Sequence, residues 1–142
     1  MRRLPHEESG QISILTLGFF ALLLLLCAVV LGATAVNLQA RQLLAEADGA
    51  VSAAVEHQSV APGRAPQLSD AQIRHRAQEH LELSGAHSRH DNLTVVAAWT
   101  GADGQTAHLR LGATAELPLA HRILPARVEL VQESHTRLEV DR

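Results

Sequence analysis

ISILTLGFFALLLLLCAVVLGATAV, residues 12–36, runs for twenty-five residues without a charge. At a rise of 1.5 Å per residue, a helix of this length extends about 37 Å, more than the ~30 Å hydrocarbon core of a bilayer. The run therefore predicts a transmembrane helix, with residues 1–11 as its cytoplasmic flank. Arg2 and Arg3 precede it and only Arg41 follows closely, so the charge bias places the N-terminus inside and the body of the chain outside. The run also exceeds the 7–15 apolar residues of an ordinary secretory signal, which favours a retained anchor. Ala33-Thr34-Ala35 nevertheless has the small-x-small pattern of a signal peptidase site. The alternative is thus a small secreted binding domain released after Ala35, with the exposed edge of its sheet recruiting a partner strand.

Small residues Gly18, Ala21, Gly32, Ala33 and Ala35 interrupt the apolar run and would allow close lateral packing, because helices associate in lipid through contact rather than hydrophobicity. Beyond the membrane, residues 37–57 stay rich in Ala, Leu, Gln, Arg and Glu, which predicts a helical extension of the anchor. Leu43, Ala47, Ala50 and Ala54 recur there at helical spacing, as do Leu44, Val51 and Val55. The first stripe suits either a second protein's helix or the chain's own domain. Pro62, Gly63 and Pro66 mark residues 58–68 as a linker.

Residues 69–142 form the small extracytoplasmic α+β domain. Ser69 and Gln72 make a capping box for a helix with Ile73, Ala77 and Leu81 as its apolar stripe, and Gly85 ends it. From Asn92 the period becomes two. Leu93, Val95, Ala97 and Trp99 are expected on one face of a strand, and Thr94, Val96, Ala98 and Thr100 on the other. Gly101 to Gln105 supply a turn, and Ala107 to Leu117 alternate as a second strand. Pro118 to Pro125 is a connection. Val128, Leu130, Leu138 and Val140 share one parity of a third strand, with Arg127, Glu129, Glu133, Arg137 and Glu139 on the other. The expected class is α+β: one transmembrane helix continuing into a long helix, then a small helix and a three-stranded antiparallel sheet.

Glu8-Ser9-Gly10-Gln11-Ile12-Ser13-Ile14-Leu15, the apolar run, and then Asn37-Leu38-Gln39-Ala40-Arg41-Gln42-Leu43-Leu44-Ala45-Glu46-Ala47-Asp48-Gly49-Ala50 resemble the N-terminal region of TadE/TadG-like Flp pilus-assembly proteins. The likeness covers about the first fifty-five residues. It implies a bacterial single-pass membrane protein of a tight-adherence secretion system, a minor pilin-like or assembly component. Its implied partners are the lipid bilayer, other pilus-assembly or pilin-like membrane proteins, and further copies of itself. Prepilin-type cleavage after Gly10 would place Leu15 at the fifth mature position, where an acid is expected, so that processing is not transferred.

Chemistry is not suggested. His75 and His80 are five apart and diverge by about 140° on a helix, which does not suit zinc. Ser88, His90 and Asp91 are nearly adjacent and point apart, and no nucleophile-elbow motif accompanies them. No catalytic residue, metal site or cofactor is expected. Cys27, the only cysteine, lies inside the apolar run, so no disulfide staples the domain. A formal charge of -3 and only Phe19, Phe20 and Trp99 as aromatics argue against nucleic acid.

Overall fold

A computed structural model describes residues 8–56, 69–116 and 127–137 of the chain. It is α+β: helix α1 (Glu8–Glu56), helix α2 (Asp70–Leu83), the single turn α3 (Ala86–Arg89), and strands β1 (Asp91–Thr100), β2 (Thr106–Glu116) and β3 (Arg127–Arg137). The strands form one antiparallel sheet in the order β1-β2-β3.

Helix α1 runs unbroken for 49 residues, and its N-terminal part from Ile12 is long and apolar enough to cross a membrane. The large apolar side chains there, from Ile12 to Leu31, are exposed. Further along, the same helix becomes the centre of the domain. Leu43, Ala47, Ala50, Val51 and Ala54 are buried with Ile73, Ala77 and Leu81 of α2 and with Leu109, Leu111 and Leu130 of the sheet. Helix α1 packs on β2 and β3 and against α2, whereas α2 covers β1.

The boundary expected at residue 69 is therefore misplaced. The folded unit begins inside the helical extension, because α2 buries only Ile73, Ala77 and Leu81 and packs mainly on β1, so that α1 must cover β2 and β3. The stripe Leu43, Ala47, Ala50 and Ala54 is occupied by the chain's own domain and is closed to a second protein's helix. The linker at 58–68, the connection from Pro118 to Pro125, and the strand positions Leu117, Leu138 and Val140 lie outside the described residues.

Local signals explain the ends of α2. The Ser69 side chain accepts the Gln72 amide at 3.3 Å, while its hydroxyl donates to Gln72 Oε1 at 3.1 Å, a variation on the reciprocal capping box. At the other end Gly85 adopts φ 68, the left-handed conformation that stops the helix. The turn before β2 is closed by the Gly104 amide donating to the Gly101 carbonyl at 2.9 Å, with Gly104 at φ 67.

Strand β1 departs from strict alternation. Pairing runs from Val95↔Leu111 to Ala97↔Arg110, so Val96 is an extra residue and the parity switches there. Leu93, Val95, Ala98 and Thr100 share the helix-facing side, and Ala97 and Trp99 move to the outer side with Thr94 and Val96. A second irregularity falls between Asp91 and Thr94, at Asn92, whose φ is 53.

Candidate interaction surfaces

The described residues present two broad surfaces, the apolar flank of α1 and the outer face of the sheet. On an ideal helix at 100° per residue, Gly18, Ala21 and Gly32 lie within about 40° of the Leu43 direction, so they extend the core stripe towards the N-terminus. Ala33 and Ala35 sit on opposite flanks, about 160° apart. Gly18, Ala21 and Ala33 are exposed, Ala35 is half-buried and Gly32 is buried. A Cβ on Gly18 would meet nothing within 4 Å. Three of the five small residues therefore share a line, and on it only Gly18 and Ala21 are exposed to an approaching helix.

The outer face of the sheet carries a ring ladder that crosses all three strands. Trp99 of β1 stacks on His108 of β2, with centroids 5.0 Å apart and planes 5° from parallel, and His108 in turn stacks on His135 of β3 at 5.6 Å. Register explains this, since Trp99↔His108 and His108↔His135 are facing pairs. Arg110 lies 5.4 Å from the Trp99 ring centre and donates to Glu133 Oε2 at 2.7 Å. That hydrogen bond, aided by the positive charge, holds the Glu133 carboxyl below its ordinary value of 4.5. Glu133 Oε1 is 3.7 Å from His108 Nδ1, too far for a hydrogen bond, and Nδ1 makes none among the described atoms.

This ladder is what the sequence reading missed. Strict alternation along β1 put Trp99 on the same face as Leu93 and Val95, and the switch at Val96 moves it to the other, outer face. The available signal was Gly112. A Cβ there would stand 2.9 Å from Val96 Cγ2 and 3.4 Å from Thr94 Oγ1, so a glycine in mid-strand marks where the bulge crosses over.

Several other polar residues tie elements of the fold together. Arg89 binds Glu46 through Nε at 3.0 Å and the Ser84 carbonyl through Nη1 at 2.8 Å, tying α3 to α1. Ser134 donates to Asp48, joining β3 to α1. The Ser88 hydroxyl donates to the Gly85 carbonyl at 2.7 Å, and His90 is buried. His75 is exposed, whereas His80 lies against Gly49. Among the described residues, no group of three or more His, Cys, Asp or Glu side chains is placed to hold a metal ion. No family model, curated protein or solved structure matches this chain.

Proposed function

We propose that the chain is a membrane-anchored, non-enzymatic component of a bacterial tight-adherence (Flp) pilus or secretion system, a minor pilin-like or assembly protein. It sits in the cell membrane as a single-pass protein with its N-terminus cytoplasmic and its α+β domain outside, and it works through helix packing and protein contacts. The observation that carries this reading is the continuity of α1, one helix holding both the exposed apolar span and the domain's central core residues. With no break between them, lateral packing in the membrane would set the position and rotation of the domain above it. That coupling suits a scaffold or filament component. The resemblance of residues 8–50 to TadE/TadG-like proteins supplies the system.

One observation favours the secreted alternative. The first residues packed on the core are Val36 and Ala40, so cleavage after Ala35 would leave every core residue in the product. The two readings separate in one experiment: N-terminal sequencing and intact mass of the protein from fractionated cells. An uncleaved chain in the membrane fraction supports the anchored component, and a soluble product starting at Val36 overturns it.

A further inference from the structure

The two edges of the sheet are treated differently by the rest of the chain. On β1 the free edge is engaged: Asp70 of α2 accepts the Thr100 amide at 2.8 Å, and Arg74 of α2 donates to the Val95 carbonyl at 3.3 Å. The break in register at Val96 and the positive φ of Asn92 also spoil β1 as a template. Among the described residues, strand β3 has none of this protection. It pairs with β2 over eleven consecutive residues without a bulge, from Arg127↔Glu116 to Arg137↔Thr106.

The ladder shows which backbone groups stay open. The Gly101 amide donates to the Thr106 carbonyl at 2.7 Å, so Thr106 and every second residue after it bond towards β1. The intervening residues, Ala107 to Ala115, bond towards β3 and use its even-numbered positions. The amides and carbonyls of Arg127, Glu129, Val131, Glu133, His135 and Arg137 therefore point away from the sheet. Among the described residues no hydrogen bond reaches them.

Beside this edge α1 offers a shelf. The Asp48–Ser134 hydrogen bond sets β3 over the flank that carries Leu44 and Val55, which are exposed and half-buried respectively. We infer that the free edge of β3 docks an extended strand of a partner protein, with apolar side chains at alternate positions over Leu44 and Val55 and charges complementing β3 between them. Lysine or arginine would face Glu129 and Glu133, and acidic residues would face Arg127 and Arg137. This deepens the reading that the domain acts through protein contacts, and its test is independent of the system and of the anchor's processing.

The full chain in lipid nanodiscs is titrated with the peptide Glu-Val-Thr-Val-Lys-Val-Thr-Val-Lys-Val-Glu, antiparallel to β3, and with its charge-swapped counterpart. Amide exchange is read by residue. The matched peptide should slow exchange at the odd-numbered amides of β3 and bind roughly five- to tenfold tighter than the swapped one. Val131→Pro deletes one open amide and no ladder bond and should abolish the protection, as should Leu44→Glu on the shelf. Absence of protection, protection on β1, equal binding of both peptides, or protection that follows protein concentration without peptide would each overturn the proposal. A folded Leu44→Glu variant keeps the test meaningful if Val131→Pro perturbs the sheet.

Discussion

Gly112 of β2 and Val96 of β1 share a space that admits only one side chain: a Cβ on Gly112 would lie 2.9 Å from Val96 Cγ2. The bulge in β1 brings Val96 over this glycine, and the same bulge turns Trp99 outwards to stack on His108. Gly112→Ala should therefore destabilise the domain by about 1–3 kcal/mol, as overpacking does elsewhere. Shortening the neighbour should restore most of it. In a double-mutant cycle read by denaturant unfolding, Gly112→Ala with Val96→Ala should be less damaging than the sum of the singles. Additive losses would show that the bulge moves freely and that no space is shared.

Leu43 makes the domain depend on the helix that carries the apolar span. It is fully buried, in the same cluster as Leu109 and Leu111. Leu43→Ala should cost about 2–5 kcal/mol, a large part of the stability of a domain of this size. The fluorescence of Trp99, the only tryptophan, reports unfolding directly. A loss below about 0.5 kcal/mol, the range of surface substitutions, would mean that α1 only rests on the sheet.

Gly49 lets α1 and α2 come close, since a Cβ there would stand 3.2 Å from His80 Nε2. Two effects oppose each other in Gly49→Ala. Helix propensity gains about 1 kcal/mol, and the imidazole must move by a few tenths of an ångström. His80 is only half-buried and lines an open recess with Ala53, Arg76, Glu79 and Leu83, so it has room to turn. The alanine variant should be neutral or slightly more stable. Gly49→Leu cannot be absorbed this way and should lose about 1–3 kcal/mol in thermal or chemical unfolding.

Gly32 lies on the line of Gly18 and Ala21, whereas Ala33 and Ala35 diverge to either side. If copies of the span pack together along that line, Gly18→Leu and Ala21→Leu, at its exposed positions, should weaken self-association in a membrane reporter assay more than Ala33→Leu. An unchanged signal for Gly18→Leu would sink the packing idea.

What was legible in the sequence follows from period and length. The long apolar helix, the α2 stripe, its caps and the parity of β2 and β3 could all be read, because each is a repeated local pattern. Three things could not. The stripe Leu43, Ala47, Ala50 and Ala54 is equally apolar whether its partner is another chain or the sheet beneath it, and only tertiary packing decides. The face of Trp99 depends on one extra residue at Val96, and in a strand a single insertion reverses every side chain beyond it. The ladder Trp99-His108-His135 also needs strand order and register, which alternation does not encode.

Asp103 closes the β1–β2 turn and gives it a pH dependence whose sign is determined. Its carboxylate accepts the Thr106 hydroxyl at 2.6 Å and the Gln105 and Thr106 amides at 3.1 and 3.0 Å. These bonds, led by the Thr106 hydroxyl, lower its pKa from 3.8 to about 2. A carboxyl with a lower pKa when folded stabilises the fold above its unfolded value, and that contribution is lost as pH falls from about 4 to about 2. Amide exchange at Gln105 and Thr106 should accelerate over this window in the native chain. Asp103→Asn keeps an acceptor oxygen but cannot ionise, so its turn should be weaker at neutral pH and lack that acid-dependent step. Because Glu133 also titrates low, the informative quantity is the difference between the two proteins. An acid response of equal size in both would assign the effect to other carboxylates and remove Asp103 as the turn's clamp.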